Sequence, residues 1–158
     1  MILAIDPGTE QSGWVLYDSG EVVGCGVLPN PDMLARVQAG GAGLQGGSMG
    51  VDLLAIEMVA SYGMPVGREV FETVIWTGRF QQAWRDPESV RRVPRLAVKM
   101  HLCHSARAKD PNVWQALVDR FGPVGTKLNP GPLWGVKAHM RAALALAVTV
   151  DDQQRVPA

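Results

Sequence analysis

Two apolar segments that each end in a carboxylate constrain the fold of this chain more than any other feature. Residues 1–6 read MILAID and stop at a Pro-Gly turn, and residues 51–58 read VDLLAIEM. Nearly continuous apolar runs of this length are typical of strands buried on both faces of a parallel sheet. A carboxylate at the end of such a strand is costly to bury unless something compensates its charge. We therefore take Asp6 and Glu57 as the first candidates for a functional site.

This pair of acids has two interpretations. If the strands are adjacent and parallel, Asp6 and Glu57 lie about 5 Å apart in the direction of the sheet. Such a pair suits a divalent cation, whose charge would offset the repulsion between the carboxylates. In the alternative, Asp6 caps the Asp-Pro-Gly turn and Glu57 meets a basic side chain. The spacing alone does not decide between them.

The other segments predict a single α/β domain over residues 1–158, a length that one hydrophobic core can support. Residues 13–18 and 21–28, separated by Ser19-Gly20, predict a hairpin that continues from the first strand. The pattern further predicts a short helix over 31–39 capped by Asn30 or Asp32, a flexible glycine-rich loop at 40–50, a long helix over 67–85, a short strand over 89–93, and helices over 95–102, 110–121 (capped by Asp110) and about 135–150.

Composition and cysteine usage narrow the class of protein. The chain is 47% hydrophobic and 19% charged, and no apolar run reaches the roughly 18–20 residues that span a bilayer. The N-terminus lacks the pattern of a secretory signal, and Cys25 and Cys103 have no CxxC partner. We therefore expect a cytoplasmic protein without disulfides.

The net charge is zero, but the charges are unevenly distributed. Residues 1–66 hold seven acidic residues and one basic residue, whereas residues 67–158 hold eight acidic and fourteen basic ones. Between positions 91 and 109 there is no acid, and the basic residues there are Arg91, Arg92, Arg95, Lys99, Arg107 and Lys109. Such a stretch can track the phosphates of DNA, and the alternative is a solvated basic face.

Four segments, in order along the chain, resemble the RuvC family of Holliday-junction resolvases, whose fold is RNase H-like. They span nearly the whole sequence, and the similarity is closest to short RuvC-like proteins of bacteriophages. The matching segments are ILAIDPGTEQSGWVLYD, LLAIEM, CHSARAKDPNVWQALVDRFG and VKAHMRAALALAV.

The resemblance implies a fold, a site and a reaction. The fold is a mixed five-stranded sheet, antiparallel in its first three strands and then parallel, with helices on both faces. The site is formed by Asp6, Glu57 and His139, which would bind Mg²⁺ or Mn²⁺, with two ions per site. Lys109 takes the position of a basic residue near the cleaved phosphate. The reaction is metal-assisted hydrolysis of a phosphodiester.

The chain departs from the family pattern in its last helix. Family members commonly carry two acids three residues apart, where this sequence has His139 and then Ala142. Imidazole is a softer ligand than carboxylate, so the site is expected to lean toward Mn²⁺. Without the resemblance, His139 would be interpreted as a surface or core residue, and neither Asp110 nor the acids at 151–152 convincingly replace the missing ligand.

The resemblance also implies partners. A resolvase of four-way junctions is expected to be a homodimer with two clefts, because the junction is close to two-fold symmetric. The interface candidates on the long helix are Phe71, Val74, Ile75 and Trp76, which could equally pack onto their own sheet. Tyr62 and Met64 could stack on unpaired bases at the branch point or fold over the core.

We therefore predict a crossover-junction endodeoxyribonuclease acting in recombination or repair, in a bacterial or phage-infected cell. Two alternatives remain. One is a different RNase H-like nuclease that acts on flap DNA or structured RNA. The other is a DNA-structure-binding protein whose metal site is weakened by Ala142.

Overall fold

A mixed five-stranded sheet in the order β3-β2-β1-β4-β5 organises the chain. Its strands are β1 (Ile2–Asp6), β2 (Gln11–Asp18), β3 (Glu21–Pro29), β4 (Leu53–Met58) and β5 (Arg91–Pro94). The pairs β1–β2 and β2–β3 are antiparallel, and β1–β4 and β4–β5 are parallel. The computed structural model describes residues 1–44 and 50–155. The predicted fold class is confirmed.

Within the described residues, five helices cover the two faces of the sheet. They are α1 (Asn30–Gln38), α2 (Arg68–Ala83), α3 (Arg95–Cys103), α4 (Asp110–Phe121) and α5 (His139–Arg155), and a short 3₁₀ turn spans Pro87–Ser89. Helices α1 and α2 pack on one face, whereas α5, flanked by α3 and α4, packs on the other. Residues 143–150 of α5 are buried without interruption, as expected for a helix in the centre of a layer.

The alternation of side chains along β1 decides which face receives its terminal acid. Leu3 and Ile5 belong to the core under α1 and α2, whereas Ile2 and Ala4 belong to the core under α5. Successive side chains of a strand point to opposite faces, so Asp6 emerges on the α5 side.

Two predicted helix starts are corrected. The last helix begins at His139 and not near residue 135, because Gly135 and Ala138 both have positive φ angles, of 87° and 42°, which interrupt a right-handed helix. Helix α1 is not capped by Asn30 or Asp32, because Pro29 occupies the cap position and makes no side-chain cap bond. The buried Asn30 side chain instead accepts a hydrogen bond from Ser12 Oγ at 2.6 Å.

Asp110 does not cap α4 as predicted. It is the first residue of the helix, Lys109 takes the cap position, and the Lys109 backbone N–H donates to Asn112 Oδ1 at 2.9 Å. The Asp110 carboxylate forms an ion pair with Arg95 and does not cap the helix. A long-range ion pair thus replaces the local interaction that the sequence suggested.

The glycine-rich segment at 40–50 is described only in part. Residues 40–44 form turns after α1, and Leu44 is buried in the core. Residues 45–49, on which most of the predicted flexible loop falls, lie outside the described residues. Within the described ranges, no helix combines the length and apolar character needed to cross a membrane.

Candidate active site

Asp6 and Glu57 lie side by side at the carboxyl ends of the two central parallel strands. The register pairs Ile5 of β1 with Ile56 of β4, so the next residue of each strand is one of the two acids. By the alternation described above, both side chains project toward α5. Both are largely shielded from solvent, with side-chain exposures of 13% for Asp6 and 7% for Glu57.

Burial makes this pair of carboxylates hard to ionise. It raises the pKa of Asp6, although the hydrogen bond to His139 acts in the opposite direction. Burial also raises the pKa of Glu57, and the neighbouring charge of Asp6 raises it further, while Arg95 lowers it. Two buried acids that repel each other form a site where positive charge is stabilising.

His139 contacts Asp6 directly. As the first residue of α5, it places its Nδ1 atom 2.7 Å from Asp6 Oδ2. When Nδ1 of a neutral imidazole donates to an ionised Asp6, the lone pair of the ring is on Nε2. The N-terminus of α5 also favours the negative charge of Asp6.

Gly13 permits this contact. It pairs with Asp6 across β1 and β2, and a Cβ atom at this position would lie 2.6 Å from His139 Cβ. A side chain there would push the start of α5 away from the sheet. The absence of a side chain at Gly13 is therefore a steric requirement of the site.

Glu57 is paired with a basic side chain, as the alternative interpretation of the sequence required. Arg95 Nη1 lies 2.8 Å from Glu57 Oε1, and Arg95 Nη2 lies 2.6 Å from Asp110 Oδ1. One guanidinium thus bridges the sheet and α4. Arg95 was predicted to contact DNA, and its hydrogen bonds join it to the acids of the site instead.

Three helices begin around the acids. Arg95, Asp110 and His139 are the first residues of α3, α4 and α5. A cleft of about 640 Å³ opens beside them, and its lining residues are Asp6, Arg95, Asp110, Pro111, Val113, Trp114, Gln115, Ala138, His139, Arg141 and Ala142. The unpaired N–H groups of helix N-termini favour anions, so this cleft combines acids with groups that attract phosphate.

The donor set fits a hard divalent cation in its chemistry. Two carboxylates and an imidazole are ligands that Mg²⁺ or Mn²⁺ accepts, and a bound ion would offset the repulsion of the acids. Among residues 1–44 and 50–155, however, no three such groups are already gathered around one point. Asp6 and His139 are already in contact, whereas Glu57 is bonded to Arg95.

The remaining basic residues that were predicted to contact DNA differ in exposure. Lys109 is exposed at the cap position of α4, directly before Asp110. Arg91 and Arg92 are exposed on β5, at the open edge of the sheet. Arg107 is exposed before α4, whereas Lys99 on α3 is half-buried.

The loop between β4 and α2 exposes two large apolar side chains. Tyr62 and Met64, both predicted to meet DNA bases, are 60% and 71% exposed. Positive φ angles at Tyr62 and Gly63 mark a tight turn between them. Neither side chain folds over the core.

The predicted interface residues on α2 divide into two groups. Phe71, Val74 and Ile75 are exposed, and only Trp76 packs inward, against Phe80 with ring centroids 5.8 Å apart. The alternative that all four residues pack onto their own sheet is therefore wrong. An exposed apolar strip on one helix marks a surface that can bind another protein.

Asp110 was missed as a member of the site. The sequence presents it as a helix cap beside Pro111, and only its position directly after Lys109, the predicted phosphate contact, linked it to the chemistry. Its bond to Arg95 depends on how α3 and α4 pack, which no local pattern encodes.

The fold has solved counterparts although no family model and no curated protein matches the chain. The structure is similar to RuvC of T. thermophilus in complex with a Holliday junction substrate, with a TM-score of 0.67, 19% identity, and coverage of 98% of this chain and 94% of that chain. A further Thermus thermophilus RuvC structure gives a TM-score of 0.62, 18% identity, and coverage of 98% and 95%. The chain has the fold of RuvC over nearly its full length.

Proposed function

We propose that this protein is a metal-dependent endodeoxyribonuclease that cuts four-way or other branched DNA by hydrolysing phosphodiesters. The observation that carries the proposal is the pair Asp6 and Glu57, buried side by side at the ends of adjacent parallel strands within a RuvC fold. Burying two mutually repelling carboxylates together is costly, and acids with pKa values perturbed in this way cluster at functional sites. The similarity to a junction-bound structure supports branched DNA as the substrate class.

The roles of the residues follow from their contacts. Asp6 and Glu57 would hold the cation, which when bound supplies Lewis-acid chemistry to the phosphodiester and the attacking water. His139 is oriented by its bond to Asp6, so Nε2 can bind the cation or accept a proton. Lys109, exposed at the start of α4, would stabilise charge that develops on the phosphate.

The DNA surface would extend from the cleft along β5. Arg91, Arg92 and Arg107 are exposed and would contact phosphates without reading sequence. Tyr62 and Met64 are exposed in the loop that follows β4, the strand that carries Glu57, where they could stack on bases unpaired at a branch point. Arg95 is less available to this surface, because two of its N–H groups are bonded to Glu57 and Asp110.

The active form would be a homodimer. A four-way junction presents two cleavable strands related by near two-fold symmetry, and an isologous dimer matches that symmetry with two clefts. The exposed strip of Phe71, Val74 and Ile75 on α2 supplies an apolar surface for it.

Two other functions use parts of the same site. A nuclease for flap DNA or structured RNA would share the two acids and differ in substrate. A non-catalytic protein that binds branched DNA is favoured by one observation: Ala142 lines the cleft where the resemblance leads us to expect a further acid.

One experiment separates the three. Purified protein is incubated with labelled four-way junction, flap DNA, structured RNA and matched duplex, with Mg²⁺, Mn²⁺ or chelator. We expect cleavage of the junction that requires a divalent cation and exceeds cleavage of duplex. Preferential cutting of flap or RNA would replace the proposed substrate, and junction binding without turnover under either metal would establish the non-catalytic function.

A further inference from the structure

The cleft contains a second arginine, Arg141, which stacks on Trp114. Arg141 lies in the first turn of α5, two residues after His139, and its guanidinium carbon is 4.0 Å from the centroid of the Trp114 ring on α4. Both side chains line the same cleft as Asp6. Arg141 is exposed, whereas Trp114 is half-buried and packs against the core under α5.

The two arginines of this cleft, Arg95 and Arg141, differ in their partners. Arg95 is held by ion pairs to Glu57 and Asp110. In the part of the chain that the structure describes, no carboxylate forms an ion pair with Arg141. Stacking on an indole fixes the plane of a guanidinium and leaves its N–H edge available.

We infer that Arg141, held in place by Trp114, binds a backbone phosphate of the DNA strand that enters the cleft, next to the phosphate that reacts. This inference rests on the proposed function. Asp6 also lines the cleft and its carboxylate repels a polyanion, so a fixed positive charge close by would favour binding of the strand. Arg95 cannot supply it while it neutralises the acids, whereas Arg141 presents a planar donor that matches phosphate geometry.

The test compares Arg141→Gln with a control that has the same chemistry elsewhere. Arg85 also stacks on a tryptophan, at 4.8 Å from the ring of Trp84, and donates to the backbone of Asp52 just before β4, at the opposite end of the sheet. Arg85→Gln therefore removes a stacked arginine without touching the cleft. Arg141→Lys retains the charge and loses the planar donor.

Affinity for a labelled four-way junction is measured in chelator, without cleavage, over a series of salt concentrations. We expect Arg141→Gln to weaken binding about tenfold and to lower the slope of log Kd against log salt by about one. Arg141→Lys should be intermediate in affinity with the slope of wild type, and Arg85→Gln should be unchanged in both. Thermal unfolding verifies that each variant is folded. Inorganic phosphate is then added as a competitor. If it abolishes the difference in affinity between wild type and Arg141→Gln, Arg141 belongs to a general anion site, which overturns the inference. If the difference persists, it supports a contact with the DNA strand.

Three outcomes distinguish this inference from the proposed function. Wild-type affinity and salt slope in folded Arg141→Gln and Arg141→Lys would overturn the inference alone. A weakened Arg141→Gln in a protein that never cuts DNA would support the phosphate contact while contradicting the nuclease. A wild-type protein with no affinity for DNA would overturn both.

Discussion

His139 is the residue at which this chain departs from the family that it resembles, and its contact with Asp6 gives that departure a physical meaning. Nδ1 bonds to Asp6 Oδ2 at 2.7 Å and orients the ring, as carboxylates do for ligating or proton-transferring histidines. The residue lies 50% exposed, so Nε2 can reach bound substrate or cation.

Substitution of His139 should separate a ligand from a packing residue. We expect His139→Ala to lose cleavage under both Mg²⁺ and Mn²⁺. His139→Asp supplies a harder, anionic oxygen, so Mg²⁺-supported cleavage should persist or rise relative to Mn²⁺. Initial rates under each metal provide the measurement, with the exposed His104→Asn as a control expected to behave as wild type. If His139 only packs, both variants should shift stability by about 1 kcal/mol and leave metal preference unchanged.

The sequence predicted Asp6 and Glu57 as neighbours on the condition that the two apolar strands are adjacent and parallel, and the pairing of β1 with β4 meets that condition. The sequence was not sufficient to identify Arg95 as the partner of Glu57. Six basic residues lie in the stretch without acids between positions 91 and 109. The packing of α3 against the sheet determines which of them reaches Glu57, which lies 38 positions before Arg95 in the chain. Asp110 was predicted to cap α4 for a similar reason. A cap is predicted from the adjacent residues of the sequence, and these give no information about the ion pair with Arg95.

At the scale of elements, side-chain bonds join α3 to α4 at their N-termini, and they join α3, α4 and α5 near their C-termini. Their N-termini meet around the acids, where Arg95 of α3 bonds to Asp110 of α4. Near their C-termini, Asp152 of α5 accepts hydrogen bonds from Arg120 of α4 at 2.7 Å and contacts His101 of α3 at 2.8 Å. The cluster of Asp152, Arg120 and His101 holds the C-terminal ends of the three helices together, so it should help to keep their N-termini in place around the acids.

Asp152→Asn should reduce stability in a pH-dependent way. The hydrogen bonds from Arg120 lower the pKa of Asp152 to about 2, against the effect of burial. A lowered pKa stabilises the folded state above the unfolded pKa of about 3.9, and that contribution is lost as the pH falls toward the folded value. Chemical denaturation should show wild type more stable than the variant by roughly 2 kcal/mol at pH 7, with the difference shrinking between about pH 4 and pH 2.

The control for this measurement is Asp119→Asn, an exposed acid on α4 whose partner is Gln115. It should change stability by less than about 0.5 kcal/mol at every pH. A difference between wild type and Asp152→Asn that persists unchanged at pH 2 would show that the ion pair is not its source.

At the scale of the whole molecule, the mixed five-stranded architecture was what the resemblance to the RuvC family implied, and the apolar runs and turn residues of the first four strands agreed with it. Helix ends were harder to predict from sequence. The last helix was predicted to begin about four residues too early, because the alanine-rich sequence after residue 135 has high helix propensity, whereas the positive φ at Ala138 interrupts the helix just before His139. The state of assembly lies beyond a single chain and stays a prediction.

The homodimer can be tested on the exposed strip of α2. Phe71→Asp with Ile75→Asp places two charges in an apolar surface, where they would be desolvated by a partner, so we expect a monomer in sedimentation. Leu128→Asp is the matched control, because Leu128 is 98% exposed and lies outside α2. A wild-type protein that is already monomeric, or a double variant that still dimerises, would contradict this interface.

The most direct test of the central claim measures junction cleavage and junction binding in the same samples of Asp6→Asn and Glu57→Gln. Each substitution removes a charge from the cation site but little of the cationic surface. We predict that both variants lose cleavage under Mg²⁺ and Mn²⁺ while binding the four-way junction within about a few-fold of wild type, as expected when the phosphate contacts remain. Undiminished cutting by either folded variant would contradict the assignment of the active site to these two acids.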